Sequence, residues 1–457
     1  MYTLIAITGL GVICLLLEIF NVRKAIVPVT IVGLFGVLGL TISEFDAPAS
    51  YYNNMVVVNN YSVTFSSLFI VLTIFLVAMS RNFYHTQQSK ISDFIAIKIF
   101  LLAGAVAMVS FGNLAMFFLG LEILSIALYI LASSNRLEIK SNEAGMKYFL
   151  MGAFASGILL FGICLIYGAM GTFDIAEISE LTLSAELPDR WFFIGLILMV
   201  IGMLFKIAAV PFHMWAPDVY EGSPALTTAT MSTLAKVTAM AALYKLLMDM
   251  HVPYSDVFGT LIAVVSILSM TVGNIMALRQ TNVKRMLAFS GISHAGFMLM
   301  TLLGNNDMAG ILLYYTAAYA LAGIAAFSVL LFVCQNKDNE DINNFNGLGK
   351  TNPLLAAMLT SALLSMAGIP IFAGFFAKFS LFTETIESGF LVVVIAAVIN
   401  SIISIGYYFK LILAMYTKEK TIDRPQSSRL FATVAVIAIT LNLILGFAPS
   451  LLLGLFP

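Results

Sequence analysis

The chain has 457 residues, of which 60% are hydrophobic and only 10% are charged. Soluble domains carry roughly 25% charged residues, so this composition excludes a soluble globular protein and indicates a protein with many membrane spans. The formal net charge of −1 argues against a nucleic-acid partner. Cys14, Cys164 and Cys334 are isolated within apolar runs, and the four histidines are widely spaced. Neither pattern predicts a zinc, iron–sulfur or haem site in this chain.

Apolar segments long enough to cross a bilayer follow one another along the whole chain. A spanning helix needs about 20 mostly apolar residues, and on that basis the sequence predicts about fourteen spans. They are 4–20, 26–42, 62–79, 94–109, 114–132, 144–167, 191–208, 226–248, 257–278, 283–303, 310–333, 354–381, 390–416 and 430–453. The first run lacks a basic flank and a cleavage site, so it is predicted to be a retained span. The predicted fold is an all-α integral membrane protein.

Basic residues alternate between the predicted loops. Most of the 23 lysines and arginines lie in every second loop, as Arg23, Lys24, Lys284 and Arg285 do. The opposite loops contain Arg190 and a run of acidic residues. The positive-inside rule makes the basic loops cytoplasmic. Because the number of spans is even, both termini are then predicted to face the outer, periplasmic side.

Several lysines interrupt the apolar segments, where a charge costs about 3 kcal/mol on insertion scales. They are Lys98, Lys147, Lys206, Lys236, Lys245, Lys378 and Lys410. Intramembrane ionisable groups mark ion or proton paths by default. We predict that Lys98 and Lys147, near cytoplasmic span ends, extend to the membrane surface, an alternative that also applies to Lys245 and Lys410. The other three lysines are the candidates for a proton path.

Two predicted spans contain a proline where a helix should continue. Pro211 lies five residues after Lys206, and Pro370 lies eight residues before Lys378. Proline removes a backbone donor and clashes with the preceding turn, and at membrane depth the freed groups must bond to protein or water. Interrupted helices at matching places in two halves are typical of transport sites. A simple kink is the alternative for either one, since proline is common in membrane helices.

Three other residues complete the candidate site. Glu122 lies in the middle of a span, where a lone carboxylate must pair across helices or be protonated. Lys206 is its predicted partner, and a static structural ion pair is the alternative. Lys236 lies among small, hydroxyl-bearing residues that can hold water. His294 has an imidazole that titrates near neutrality, although a hydrogen-bonded structural histidine is the alternative.

The sequence resembles one family, the antiporter-like subunits in the membrane arm of the proton-pumping NADH–quinone oxidoreductase, respiratory complex I. The resemblance covers essentially the whole chain and rests on the span around Glu122 with residues 128–131, the 206–224 run and the 368–379 run. It is strongest for the N-type branch. The M-type sister usually has a glutamate in place of Lys378, and the L-type sister has a long arm after its last span. Stand-alone cation/proton antiporter subunits share many of these motifs, and a structural subunit without a proton path is a further alternative.

The resemblance implies two inverted five-helix repeats, each with a proline-broken helix. The implied parts are an N-terminal three-helix segment (1–93), the first repeat (94–250), the second repeat (251–416), and a C-terminal loop with the last span (417–457). The implied half-channel residues are Glu122, Lys206, Lys236 and Lys378. Separating Glu122 from Lys206 would push the lysine's proton toward Lys236, and His294 can pass it on to Lys378.

The resemblance also implies cofactors and partners. NADH, FMN, the iron–sulfur clusters and quinone are expected in partner subunits, and none is expected in this chain. The expected partners are sister antiporter-like subunits, other membrane-arm and peripheral subunits of complex I, and membrane lipids. The expected location is the inner membrane of a bacterium.

Overall fold

The computed structural model of the chain describes residues 1–84, 91–184, 190–251, 256–304, 308–335, 337, 339–417 and 429–456. Within these residues the regular structure is helical except for one short antiparallel hairpin. Its strands are β1 (Ala49–Tyr51) and β2 (Val56–Val58), with Ala49 opposite Val58.

The first helices in chain order are α1 (Tyr2–Ile19), α2 (Arg23–Ser43), α3 (Asn60–Phe83), α4 (Ile91–Ala107), α5 (Leu114–Ala132), α6 (Ile139–Met170), α7 (Ile175–Ser184), α8 (Arg190–Ile207), α9 (Trp215–Gly222), α10 (Ala225–Thr230) and α11 (Lys236–Asp249). They are followed by α12 (Asp256–Leu278), α13 (Val283–Leu299), α14 (Ala309–Cys334), α15 (Leu348–Thr351), α16 (Pro353–Ala367), α17 (Ala373–Glu387), α18 (Leu391–Thr417), α19 (Arg429–Phe447) and α20 (Ser450–Leu453). A π-helical turn, Met231–Ala235, joins α10 to α11. Turns of 3₁₀ helix, Met300–Leu303 and Ile342–Phe345, follow α13 and precede α15.

The predicted spans are present as helices. Among the described residues, 11 helices are long and apolar enough to cross a membrane. The remaining predicted spans are α4, which has 17 residues, and two interrupted segments, α10 with α11 and α16 with α17. The prediction of an all-α integral membrane protein with broken helices is confirmed.

The chain forms two compact units. Unit 1 contains Met1–Ile207 and Leu234–Ser255, and unit 2 contains Ala208–Thr233 and Asp256–Pro457. The chain leaves unit 1 at the first proline break and returns to it within the π-helical turn. The predicted division into four parts is a different grouping along the sequence, and it stays a prediction.

In unit 1, α8 packs closely against α6. A Cβ atom added to Gly162 of α6 would lie 2.6 Å from the carbonyl oxygen of Gly195 on α8, so a larger residue has no room there. Small residues at such a contact let the backbones of membrane helices approach each other. This close approach brings Tyr148 of α6 within reach of Lys206 near the end of α8.

In unit 2, the spans Val283–Leu303 and Ala309–Cys334 are almost entirely buried inside the protein. A helix that is apolar on all sides is typical of a core position. Their few polar side chains, including His294 and Tyr315, are therefore shielded from lipid. A polar group in this core must find its partner within the protein.

Candidate functional site: buried lysines beside two helix breaks

The first predicted break separates α8 from α9. Helix α8 ends at Ile207 and α9 begins at Trp215, with the cis Val210–Pro211 peptide between them. The break leaves backbone groups without helical partners. One of them, the amide of Val210, donates a hydrogen bond to Ser269 Oγ of α12 at 2.9 Å within unit 2. The break predicted from Pro211 is confirmed.

Lys206 is only 8% exposed, and its ammonium is bonded to hydroxyl groups of two other helices. Its Nζ donates to Ser125 Oγ of α5 at 2.8 Å and to the Tyr148 hydroxyl of α6 at 3.3 Å. It also lies 5.8 Å and 5.4 Å from the ring centroids of Tyr129 and Tyr148. Aromatic faces attract a cation at this distance. Hydroxyls and rings therefore stabilise the buried ammonium.

Glu122 lies on α5, one helical turn before Ser125. It is half-buried, and its Oε1 atom is buried without a hydrogen-bond partner among the described residues. The carboxylate lies close enough to Lys206 to act on it electrostatically. Among the ion pairs formed within the described part of the chain, however, none joins the two residues. A direct contact between them stays a prediction.

Lys236 is the first residue of α11 and is 3% exposed. It directly follows the π-helical turn Met231–Ala235. Such turns inside a helix frequently occur at functional sites. Lys236 belongs to unit 1, together with Glu122 and Lys206.

Two lysines near span ends are buried in unit 1. Lys98 is 1% exposed, and its Nζ donates to Ser80 Oγ of α3 at 2.7 Å. The prediction that Lys98 extends to the membrane surface is wrong, because α3 supplies an acceptor inside the protein. Lys245 is also buried, so the same alternative fails for it. Its Nζ donates to the Phe111 carbonyl at 2.8 Å and to the Asp249 carboxylate.

Lys147 and Lys410 are at the protein surface. The Lys147 side chain is 43% exposed and forms an ion pair with Glu143, four residues earlier on α6, at 2.7 Å. The exposed Lys410 donates to the Gln280 carbonyl at 2.8 Å. That Lys147 extends to the membrane surface stays a prediction, and its exposure is compatible with it.

The second predicted break separates α16 from α17. Helix α16 ends at Ala367 with Gly368 in the left-handed conformation, φ 86°. Lys378 lies on α17 and is 5% exposed. Its Nζ donates to the Ala367 carbonyl at 3.0 Å and lies 4.7 Å from the Phe297 ring centroid. The C-terminal carbonyls of a helix carry partial negative charge, so the end of α16 attracts this ammonium.

His294 of α13 is hydrogen-bonded through both ring nitrogens. Nδ1 lies 2.8 Å from the Tyr315 hydroxyl and Nε2 lies 3.3 Å from the Tyr408 hydroxyl. His294, Tyr315 and Lys378 line one small cavity. The centre of a water-sized sphere can occupy about 10 Å³ of it. That is room for about one water molecule. The structure therefore brings His294 and Lys378 together around a hydratable cavity in unit 2.

A charged cluster just after the first break was missed by the sequence analysis. Arg285 Nη1 donates to Asp218 of α9 at 2.7 Å and to Glu221 at 2.9 Å. The adjacent Lys284 pairs with Glu340 at 2.8 Å. From the sequence, these two basic residues are predicted only to be cytoplasmic loop charges. The spacing of Asp218 and Glu221, three residues apart, places both on one helix face and could have predicted a shared cation.

The chemistry available in each unit is proton exchange. Lysine ammonium donates protons, and the serine and tyrosine hydroxyls around Lys206 and His294 both donate and accept. Such groups can pass a proton along without binding a cofactor. Within the described ranges, no group of three or more His, Cys, Asp or Glu residues is placed to hold a metal ion.

The fold and the two lysine sites define a helical membrane protein of the broken-helix transporter class. Residues 111–404 match the NADH:quinone oxidoreductase/Mrp antiporter transmembrane family, and the chain belongs to that family.

Three of the matching proteins are similar to this chain over at least 99% of its length. NADH-quinone oxidoreductase subunit N of Flavobacterium johnsoniae is 71% identical over 100% of both chains. A chain of respiratory complex I from Thermus thermophilus is 31% identical, with a TM-score of 0.86 over 99% of this chain and 98% of that one. A chain of the Mrp complex from Dietzia sp. also has a TM-score of 0.86, over 99% of this chain and 94% of that one, but is 21% identical. The Mrp match therefore shows a shared fold alone.

Proposed function

We propose that this chain is a proton-translocating membrane subunit of a bacterial NADH–quinone oxidoreductase. The relative that is 71% identical over its full length has the name of such a subunit. The observation that carries the proposal is the burial of Lys206 and Lys378 beside two helix breaks, each with polar groups that exchange protons around it.

The first part of the proposed relay uses Glu122, Lys206 and Lys236. An ionised Glu122 favours protonated Lys206, and any movement that weakens their interaction makes Lys206 a better proton donor. The hydroxyls of Ser125 and Tyr148 accept hydrogen bonds from Lys206 and offer the proton a first step. Lys236 is the proposed next acceptor.

The second part of the proposed relay uses His294 and Lys378. We propose that Lys378 comes last in the order, after Lys236. His294 can accept a proton on one ring nitrogen and release one from the other. The cavity beside it leads the proton to Lys378, which releases it on the far side of the membrane.

The energy for this transport must come from outside the chain. Moving one proton against 100 mV costs about 2.3 kcal/mol. We propose that NADH, FMN, iron–sulfur clusters and quinone in partner subunits supply it, and that this chain acts as a translocase without a redox centre. The proposed neighbours are sister antiporter-like subunits and other membrane-arm and peripheral subunits, in the bacterial inner membrane.

The alternation of basic loops supports an orientation with both termini on the periplasmic side. Arg23 and Lys24 at the start of α2, Arg136 before α6 and Lys140 at the start of α6 would then face the cytoplasm. A membrane-impermeant lysine reagent added from one side of the membrane would test this orientation. Modification of Lys24 and Lys140 only from the cytoplasmic side would support it.

A multisubunit cation/proton antiporter is the second candidate, because the Mrp chain shares the fold with an equal TM-score. The identity of 21% to that chain, against 71% to the subunit N relative, favours the oxidoreductase. Native purification decides between them. Companion NADH-binding subunits support the oxidoreductase, whereas small antiporter subunits support the alternative.

The relay is tested by Lys206→Ala, with Lys147→Ala as the matched control because its side chain is exposed and ion-paired. NADH-driven proton uptake is measured in inverted membrane vesicles with equal amounts of assembled complex. We expect Lys206→Ala to slow proton uptake by about a hundredfold, a typical contribution of a proton-transfer residue. Lys147→Ala should leave it near wild type. Wild-type pumping in the Lys206→Ala complex would contradict the relay.

A further inference from the structure

The last span, α19, lies outside both predicted five-helix repeats, yet one of its side chains reaches the second break. Asn442 is fully buried on α19. Its Nδ2 donates to the Ala318 carbonyl of α14 at 3.0 Å, and its Oδ1 accepts from Ser365 Oγ of α16 at 2.9 Å. A buried amide at membrane depth is costly unless paired. Asn442 is paired at both ends and ties α19 to two other helices.

Ser365 connects Asn442 to the helix after the break. Helix α17 begins after Phe372, whose side chain provides no cap for the free amides of the first turn. The amide of Gly374 instead donates to Ser365 Oγ at 3.3 Å. Free amides at a helix start are normally capped by a polar side chain just before it. Here the cap comes from α16, so one hydroxyl joins both sides of the break.

The backbone of α19 also touches the break directly. Gly446 lies one helical turn after Asn442, on the same face of α19. A Cβ atom on Gly446 would lie 2.2 Å from the Ile371 carbonyl oxygen. Ile371 has φ 88°, which a β-branched residue rarely adopts. Such a conformation persists only where the surroundings hold it, and α19 is part of those surroundings.

The position of Lys378 depends on this arrangement. Lys378 lies one helical turn after Gly374, so the start of α17 sets where its side chain begins. Its ammonium bonds to the carbonyl of Ala367, the last residue of α16. The distance between that carbonyl and Lys378 is therefore fixed by how α17 is held against α16.

We propose that Asn442 is a positioning residue for Lys378. Through Ser365 it holds the start of α17, so that the Lys378 ammonium stays on the Ala367 carbonyl and at the edge of the cavity it shares with His294. The inference rests on the proposed role of Lys378 in proton transport, and it adds the last span to the parts of the chain that transport requires.

The test compares Asn442→Leu with Asn400→Leu in the assembled complex. Asn400 is a matched control, because it is a buried asparagine of α18 that bonds to Asn274. Protons pumped per NADH oxidised are measured in inverted vesicles across a range of pH. Asn442→Leu removes both hydrogen bonds of the amide, and only the one to Ser365 leads to α17. We expect the loss of that one bond to lower the ratio about threefold and to shift the pH of half-maximal pumping. Asn400→Leu should change neither quantity.

Two further variants separate positioning from simple helix packing. Asn442→Asp keeps the acceptor for Ser365 and, when protonated, the donor, so it should restore most of the pumping ratio. Ser365→Ala breaks the same connection and should shift the pH profile in the same direction as Asn442→Leu. The double variant with Asn442→Leu and Ser365→Ala should have a pumping ratio no lower than the poorer of the two single variants. An unchanged ratio and pH profile in Ser365→Ala would overturn the proposal, even if Asn442→Leu failed to assemble.

A chemical probe separates this inference from the relay itself. Lys378→Cys is placed in a chain whose three native cysteines are replaced by serine. The rate of its reaction with methyl methanethiosulfonate is measured in membranes. Adding Asn442→Leu should change this rate about threefold, whereas adding Asn400→Leu should not. A changed rate supports positioning even if pumping proves insensitive to Lys378, and an unchanged rate refutes it.

Discussion

Lys206 and Lys378 lie beside similar helix breaks, but their ammonium groups are held by different kinds of atom. Lys206 donates to the hydroxyls of Ser125 and Tyr148, which belong to two other helices. Lys378 donates to a backbone carbonyl of the preceding half-helix. A hydroxyl can both accept and donate a proton, whereas a carbonyl only accepts a hydrogen bond. The first lysine thus has partners that can carry a proton onward. In the proposed relay the second lysine would instead rely on the adjacent cavity and His294.

The charged groups around the two lysines also differ. Lys206 feels the Glu122 carboxylate, but Lys378 has no ion pair among the described residues. Its charge is stabilised by the end of α16 and the Phe297 ring. The charge of the first lysine is therefore open to control by an acid. If Lys378 relays protons as proposed, the second site needs a group that titrates, of whichever sign.

The largest expected effect tests this requirement at Lys378. Lys378→Met should slow NADH-driven proton uptake by about a hundredfold, because the titrating group is lost. Lys378→Glu should retain clearly more uptake, since the M-type sister has an acid at the corresponding place. A structural lysine predicts the opposite order, because an apolar residue suits a helix contact better than an unpaired carboxylate. The two variants are compared in membranes that contain equal amounts of assembled complex. If Lys378→Met pumps as well as Lys378→Glu, the relay role of Lys378 is ruled out.

The second prediction concerns the coupling of Glu122 to Lys206. Glu122→Gln, Lys206→Met and the double variant are compared by proton-uptake rate. If the two charges interact, the double variant should lose less than the product of the single losses, by about tenfold. The reason is that each single variant leaves one buried charge without its counterpart. Losses that simply multiply would show that Glu122 and Lys206 act independently.

The comparison of the two sites also shows what the sequence could predict. The spans and both breaks were predicted, because about 20 apolar residues and an internal proline leave a local pattern. The lysines beside the breaks were found for the same reason. The breaks, however, are bridged by side chains from elsewhere. Ser269 is 59 residues from Val210, and no local pattern predicts such a contact.

The partners of the buried lysines were not predicted. Ser125 and Tyr148 lie 81 and 58 residues from Lys206, and they reach it only because three helices pack together. The same cause explains the wrong prediction for Lys98. Its distance from the span end suggested an extended side chain, but Ser80 on the neighbouring helix offers an acceptor inside. Sequence position fixes depth in the membrane, whereas packing decides which way a side chain points.

The smallest expected effect tests whether the second site depends on His294. Tyr407 and Tyr408 are adjacent on α18, and both are buried. The Tyr408 hydroxyl lies 3.3 Å from His294 Nε2, whereas the Tyr407 hydroxyl donates to Asn274 at 3.0 Å. Tyr408→Phe should slow proton uptake by about fivefold, because its hydroxyl bonds to Ser290 as well as to the imidazole that it orients. Tyr407→Phe removes the same atom one residue away. The Tyr407 hydroxyl also bonds to Tyr408 but does not contact His294, so this variant should cost clearly less uptake than Tyr408→Phe. Equal losses in the two variants would mean that the hydroxyls serve packing alone, and the second site would then have to work without an oriented His294.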